Sequence, residues 1–150
     1  MTSKVLDRFE SDNGAFRIRV TAYYESPGFV SGAYYVFESA AYWSEDWRPI
    51  MTFHHDDPVL IPRDQIRFVR RDVGYVFMGW LYAVTTDAGA SGSQWKPAAS
   101  ESMDWAPCAY GAIADVTLAP DGRGIMHNVP GCGSRAFQTR DYGRSWIPNE

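Results

Sequence analysis

Two short segments with the same Thr-x-Asp-x-Gly-x-Ser pattern constrain the fold of this chain more than any other feature of its sequence. Residues 139–146 read Thr-Arg-Asp-Tyr-Gly-Arg-Ser-Trp, and residues 85–92 read Thr-Thr-Asp-Ala-Gly-Ala-Ser-Gly. An aspartate side chain can accept hydrogen bonds from the backbone of its own turn, and glycine adopts backbone conformations that other residues resist. A following tryptophan can bury its large ring against a sheet. The recurrence of this combination predicts a repeated β-hairpin unit.

Short runs of aromatic and β-branched residues precede both turns and also occur earlier in the chain, and such runs predict strands. They are residues 16–23, 33–37, 66–69, 75–78, 82–85, 116–118, 124–126 and 136–139. A Trp-x-Pro sequence recurs at Trp47, Trp95 and Trp146, with a spacing of about 50 residues. The chain is therefore predicted to be a single all-β domain over residues 1–150, with antiparallel repeats at about 16–50, 64–97 and 113–148.

Both turns resemble the Asp box, Ser/Thr-x-Asp-x-Gly-x-Ser/Thr-Trp, of the Asp-box (BNR) repeat proteins, a group that includes sialidases and photosystem-assembly propellers. The resemblance implies that each box is a hairpin turn between the outer strands of a propeller blade, with a structural role. The residues carried over as structural are Thr85, Asp87, Gly89, Ser91, Thr139, Asp141, Gly143, Ser145 and Trp146. Because Gly92 stands where the pattern has Trp, the earlier of the two turns is expected to be distorted.

The number of repeats bears on how they can assemble. A closed propeller generally needs about four or more blades, whereas this sequence offers three units. The predicted fold is therefore three propeller-blade-like antiparallel repeats in an open arc, in packed sheets, or in part of an oligomeric propeller. In the last arrangement a second copy of the chain would complete the ring.

Composition and charge exclude several classes of function. Hydrophobic residues make up 45% of the 150 residues and aromatic residues 15%, which argues against disorder. The formal net charge of −4 argues against nucleic acid as a partner, and the one basic cluster, at Arg67, Arg70 and Arg71, is interpreted as a solvated face. No apolar run approaches the about 20 residues that span a bilayer. Without a signal-peptide pattern at its start, the chain is expected to be cytoplasmic, or periplasmic if a signal sequence has been removed.

Neither a metal nor a cofactor is expected. His54, His55 and Asp56 form the densest cluster of potential ligands, but neighbouring residues on a strand point to opposite faces, so they are weak candidates. Cys108 and Cys132 lie in Gly/Pro-rich segments. They are expected to be thiols in a cytoplasmic chain and a candidate disulfide in an exported one.

No catalytic residues are predicted. Sialidase chemistry would need an arginine cluster and a Tyr/Glu nucleophile pair, and no motif assigns those roles. Glycoside hydrolysis would need two paired carboxylates, and the spacing of Glu38, Glu45, Asp46 and Asp104 selects no pair. Signatures of a serine or cysteine nucleophile are absent from the sequence. The chain is therefore expected not to be an enzyme, with a glycan-directed hydrolase as an alternative.

The first third of the chain is rich in aromatic residues, and some of them are expected at the surface. Tyr42, Trp43 and Trp47 lie beside Glu45 and Asp46, a composition typical of a binding patch for another protein, although filling of the core would also account for the rings. The predicted function is non-catalytic protein binding, most concretely by a small inhibitor or immunity-type protein against a bacterial toxin or enzyme. A carbohydrate-binding module is the other alternative, with a glycan as the ligand.

Overall fold

A computed structural model describes residues 5–24, 32–55, 61, 63–79, 81–96, 113–131 and 136–149, with only the backbone described for His55. All regular secondary structure in these residues is β-strand, which confirms the predicted all-β class. The strands are β1 (Val5–Asp12), β2 (Phe16–Tyr24), β3 (Ala33–Ala41), β4 (Arg48–His55), β5 (Ile66–Arg70), β6 (Val73–Met78), β7 (Leu81–Thr85), β8 (Ser93–Trp95), β9 (Ile113–Leu118), β10 (Gly124–Asn128), β11 (Ala136–Thr139) and β12 (Ile147–Pro148).

The strands form three four-stranded antiparallel sheets, in each of which the strands lie side by side in chain order. Sheet 1 contains β1 to β4, sheet 2 contains β5 to β8, and sheet 3 contains β9 to β12. Each sheet is thus a meander of consecutive hairpins, which is the pairing that short connections allow. The three sheets are the blade-like antiparallel repeats that the sequence predicts.

Sheet 2 lies between the other two and has both faces covered. Every residue of β6 and β7 is buried. One face packs on sheet 1 through residues such as Met78 and Ala83, and the opposite face packs on sheet 3 through residues such as Tyr75 and Tyr82. Burial on both faces explains why β6 and β7 are apolar along their length instead of alternating apolar and polar residues. Sheets 1 and 3 each bury one face against sheet 2 and leave one outer face.

Sheet 1 begins earlier than the first predicted repeat, because β1 precedes residues 16–50. Leu6 and Phe9 of β1 pack against the core that sheets 1 and 2 share, whereas Arg8 and Glu10 lie on the outer face. Charged side chains on that face hid the strand from sequence reasoning. Among the described residues, no helix has the length and apolar composition that crossing a bilayer requires.

The Trp-x-Pro sequences do not occupy equivalent places in the three sheets, contrary to the repeat pattern. Trp47 and Trp146 directly precede the fourth strands of sheets 1 and 3. Trp95 is instead the last residue of β8, where it pairs with Tyr82 of β7. Gly92, which follows the serine of its turn as Trp146 does, is the true equivalent of Trp146.

Candidate functional site

The two aspartate turns are closed by the same set of hydrogen bonds. We call residues 85–91 turn 2 and residues 139–145 turn 3, and each connects the third and fourth strands of its sheet. In turn 3, the Thr139 hydroxyl and the Ser145 amide donate to Asp141 Oδ1 at 2.7 and 3.0 Å, and Ser145 Oγ donates to Oδ2 at 2.6 Å. The Gly143 amide donates to Thr139 Oγ1 at 2.9 Å.

Turn 2 repeats this geometry, so the expected distortion was wrong. Thr85 Oγ1 and the Ser91 amide donate to Asp87 Oδ1 at 2.8 and 2.9 Å, and the Gly89 amide donates to Thr85 Oγ1 at 2.9 Å. The backbone φ angle is +89° at Gly89 and +79° at Gly143, a region in which glycine is least strained. The turn is intact without a tryptophan at position 92 because none of these hydrogen bonds involves the residue that follows the serine.

The hydrogen bonds also lower the pKa values of both aspartates. Partial burial raises the pKa of the Asp141 carboxyl group, but hydrogen bonds from Ser145 and Thr139 lower it by more, so the pKa lies below its ordinary value. The pKa of Asp87 is lowered in the same way, with Ser91 and Thr85 as the donors that outweigh burial. Each carboxylate therefore has both oxygen atoms engaged by donors of its own turn.

Each turn docks onto the sheet that precedes it in the chain. The Tyr82 hydroxyl of sheet 2 donates to the carbonyl oxygen of Tyr142 in turn 3 at 2.7 Å. The Ser39 hydroxyl of sheet 1 donates to the carbonyl oxygen of Gly89 in turn 2 at 2.5 Å. A Cβ atom at Gly143 would overlap the ring of Tyr82. Glycine at these positions therefore permits both the turn and its close approach to the neighbouring sheet.

The residue that follows each turn matches in size the space that the preceding sheet leaves for it. Trp146 is 5% exposed, and its ring meets Tyr82 edge to face with 5.3 Å between centroids. At Gly92, an added Cβ atom would overlap the side chains of Met51 and Ile50 in β4. Sheet 1 thus fills the space that a tryptophan would need, which accounts for the departure of turn 2 from the repeat pattern.

The predicted binding patch lies in the loop from Tyr42 to Trp47, which joins β3 to β4. Its exposed aromatic residues are Tyr42 and Trp43, whose exposed fractions are 51% and 84%. Trp47 is half-buried instead, with the guanidinium groups of Arg17 and Arg19 against its ring. Their central carbons lie 4.6 and 4.3 Å from the ring centroid. The structure therefore divides the predicted patch into two projecting rings and one ring that anchors the loop.

Hydrogen bonds to Arg17 hold the loop against sheet 1. The Arg17 guanidinium donates to Glu45 Oε1 at 2.8 Å and to the carbonyl oxygen of Ser44 at 3.0 Å. The bond from Arg17, and then the bond from the Trp47 ring nitrogen, lower the pKa of Glu45. Asp46 lies 3.9 Å from Arg48, with both side chains exposed. The loop thus presents Tyr42 and Trp43 from a fixed base with two carboxylates alongside.

The other candidate residues are only partly placed by the structure. His54 lies beside the ring of Tyr34, with 5.0 Å between ring centroids, whereas the side chain of His55 and all of Asp56 lie outside the described residues. Within the described part of the chain, no group of three His, Cys, Asp or Glu side chains could hold a metal ion. Cys108 and Cys132 are also outside the described residues.

Two of the four carboxylates considered for glycoside hydrolysis pair closely with arginine. Glu38 pairs with Arg19 at 2.9 Å and Glu45 with Arg17 at 2.8 Å, while Asp104 lies outside the described residues. This geometry gives no support to the hydrolase alternative.

Sequence reasoning missed a second surface, the outer face of sheet 3. An open cavity of about 650 Å³ lies over this face, and its lining includes Arg123, Ile125, His127 and Arg140. In the basic cluster of sheet 2, Arg70 and Arg71 are exposed as expected, whereas Arg67 donates to Asp115 Oδ1 of sheet 3 at 3.1 Å. Neither feature has a local sequence signal, since each depends on how the sheets stack.

Comparisons with known proteins identify no family. A scan of the chain against protein-family models finds no match, and a search of curated proteins finds none of significantly similar sequence.

Proposed function

We propose that this chain is a non-catalytic protein-binding domain whose contact surface is centred on Trp43 and Tyr42. The observation that carries the proposal is the 84% exposure of Trp43, in a chain whose Trp146 is 5% exposed. Tryptophan and tyrosine are among the residues that most often dominate protein–protein affinity. The surrounding Glu45 and Asp46 supply the polar rim that such interfaces have.

The fixed base of the loop supports the proposal. Arg17 and Arg19 both contact the Trp47 ring, and Arg17 also donates hydrogen bonds to Glu45 and to the backbone of Ser44. A contact loop that is already ordered loses less conformational entropy when it binds. The aspartate turns at the other sheets then have a structural role, and we propose that they are Asp boxes of a propeller-like repeat protein. The most concrete form of the function remains a small inhibitor or immunity-type protein.

Affinity capture with matched variants tests the proposal. The wild-type chain, Trp43→Ala and Val129→Ala are immobilised and exposed to the same lysate, and captured proteins are identified by mass spectrometry. Val129 is an apolar residue with 38% exposure outside the loop, so its truncation controls for general stickiness. We expect a stoichiometric partner on the wild-type and Val129→Ala columns. Loss of a central tryptophan should weaken its binding by about 2 kcal/mol, or roughly 30-fold.

Other results would redirect the assignment. Equal capture of the partner by Trp43→Ala would show that the loop is not the contact surface. A glycan array on which the wild-type chain binds and Trp43→Ala does not would replace the protein partner with a carbohydrate ligand. If the chain is an inhibitor, the captured partner should lose its own activity when the wild-type chain is added. The partner should keep that activity when Trp43→Ala is added.

A further inference from the structure

Two arginines lie opposite each other on the outer face of sheet 3. Strands β10 and β11 pair as far as Gly124 and Thr139, so Arg123 and Arg140 are the next residues on the two neighbouring segments. The segments stay side by side beyond the last pair, because the Tyr142 amide donates to a carbonyl oxygen of the β9–β10 turn at 2.9 Å. Side chains that lie opposite each other on antiparallel strands have Cβ atoms about 5 Å apart. A single ligand group can therefore contact both guanidinium groups.

Both arginine side chains point away from the core and into the cavity over this face. Thr139 is buried and Arg140 is exposed, as alternation along a strand requires. An added Cβ atom at Gly124 would overlap Leu118 in the core between sheets 2 and 3, so the preceding residue, Arg123, faces outward. Both arginines line the open cavity of about 650 Å³. This volume lies in the range of about 300–1,000 Å³ that is typical of small-molecule sites.

Neither arginine has a close carboxylate partner among the described residues. Arg123 reaches Asp121 only at 3.8 Å, with both side chains largely exposed. Within the part of the chain that the structure describes, Arg140 makes no ion pair, and no carboxylate lines the cavity. Asp115, farther along the same face on β9, is engaged by Arg67 of sheet 2 at 3.1 Å. Because like charges opposite each other in a sheet are destabilising, this pair of arginines favours an anionic group between them.

The outer face of sheet 1 is different, because its arginines are compensated within the sheet. Arg17 pairs with Glu10 and Glu45, and Arg19 pairs with Glu38. A site that accepts an anion needs the arrangement of sheet 3 instead, since an internal carboxylate would compete with the ligand for the guanidinium groups. The contrast identifies the outer face of sheet 3 as the face with cationic groups available to a ligand.

A mixed polar and apolar row continues the cavity floor beyond the two arginines. Thr117, Ile125 and Gln138 lie side by side across β9, β10 and β11, and all three line the cavity. The Thr117 hydroxyl and the Gln138 amide can each donate and accept hydrogen bonds, and Ile125 offers apolar contact between them. The floor therefore fits a ligand whose anionic group is attached to a small body that has hydroxyl groups.

We propose that this cavity binds a small phosphate monoester, such as a sugar phosphate, with the phosphate group between Arg123 and Arg140. A phosphate monoester has a charge of about −1.5 to −2 near pH 7 and three strong acceptor oxygens. That charge matches two arginines, and guanidinium groups bind phosphate oxygens through parallel N–H groups. A single carboxylate would compensate only one of the two. The site is separate from the loop that contains Trp43 and does not depend on the proposed function of that loop.

A titration of isotope-labelled protein in phosphate-free buffer of low ionic strength tests the proposal. Ribose 5-phosphate is the probe, and ribose is the matched neutral compound. Amide chemical shifts should move around Arg123, Gln138 and Arg140 with ribose 5-phosphate and stay in place with ribose at the same concentration. The affinity for ribose 5-phosphate should fall about tenfold or more in Arg123→Gln and in Arg140→Gln, because each variant loses charge-assisted hydrogen bonds to the phosphate. It should stay unchanged in Arg71→Gln and Trp43→Ala.

Arg71→Gln removes the same charge at an exposed position between β5 and β6 that does not line the cavity, so it separates local recognition from net charge. The proposal is overturned if ribose 5-phosphate shifts no amide on this face, or if ribose binds as tightly. It is also overturned if Arg123→Gln and Arg140→Gln bind as the wild type does, or if Arg71→Gln weakens binding equally. A short phosphoserine peptide that binds about tenfold more tightly than ribose 5-phosphate would overturn the assignment to a small molecule, because a phosphorylated protein segment would then be the ligand.

Discussion

Turn 2 and turn 3 have the same interior but different surroundings. Each is closed by a Thr hydroxyl, an Asp carboxylate, a Gly amide and a Ser, with donor–acceptor distances that agree within about 0.1 Å. After the turn, sheet 3 has Trp146 packed on sheet 2, whereas sheet 2 has Gly92 packed under Met51 of sheet 1. The comparison shows that residues of the turn itself determine its hydrogen bonds. The size of the residue that follows the turn depends instead on the space that the neighbouring sheet leaves.

The largest expected effect is the loss of the ring at Trp146. Trp146→Ala should lower the free energy of unfolding by about 3–5 kcal/mol, because it leaves a cavity between sheets 2 and 3 beside Tyr82 and Trp95. Urea unfolding followed by circular dichroism measures the change. A loss below about 1 kcal/mol, the level typical of surface positions, would contradict the account of how sheet 3 docks.

Supplying the absent tryptophan should not improve turn 2. Gly92→Trp would force its side chain into the space of Met51 and Ile50, and overpacking of this kind costs about 1–3 kcal/mol. The same urea titration gives the value. Relief of the clash in the double variant Gly92→Trp with Met51→Ala would sharpen the comparison, whereas a stabilised single variant would show that the packing at position 92 has been misread.

The two aspartates should be equivalent, since the turns agree inside. Asp87→Ala and Asp141→Ala each remove the acceptor of three hydrogen bonds from Thr and Ser. Both side chains are partly exposed to solvent, so a loss of about 1–2 kcal/mol is expected for each, with little difference between them. The two turns would not be equivalent if the difference between the two losses in free energy of unfolding exceeded the smaller loss.

Acid should weaken both turns by the same mechanism. The pKa values of Asp87 and Asp141 are lowered in the folded chain, so their contribution is fully present above the unfolded pKa of about 3.9. It is lost as the pH falls from there through the lower folded pKa values. Unfolding measured between about pH 6 and pH 3 should show this decline, with a shallower slope for the double variant Asp87→Asn with Asp141→Asn. An unchanged slope would assign the decline to other carboxylates.

The sequence predicts local structure in this chain better than it predicts the stacking of sheets. Alternation in residues 16–23 and the Thr-x-Asp-x-Gly-x-Ser pattern are local, and the corresponding strands and turns are present. The choice between Gly92 and Trp146, and the contact of Arg67 with Asp115, depend on a neighbouring sheet about 50 residues away in the chain. Local periodicity contains no information of that kind.

The candidate surfaces show the same limit. The composition of residues 42–47 predicts an aromatic and acidic patch, but the contact of the Trp47 ring with two arginines of β2 depends on how the loop folds onto sheet 1. On the outer face of sheet 3, Ile125 and Ile147 share one row across separate strands, with Gln138 between them. A row of side chains that crosses several strands cannot be predicted from the sequence of any one of them.

Hydrogen–deuterium exchange of the chain with its captured partner tests the central claim, that Trp43 and Tyr42 form the protein-binding surface, most directly. Binding should slow amide exchange in the loop of residues 42–47 and leave β10 and β11 at their rates in the free chain. The same experiment with Trp43→Ala should show no protection at equal partner concentration. Protection that is confined to sheet 3, or that persists in Trp43→Ala, would contradict the proposed function.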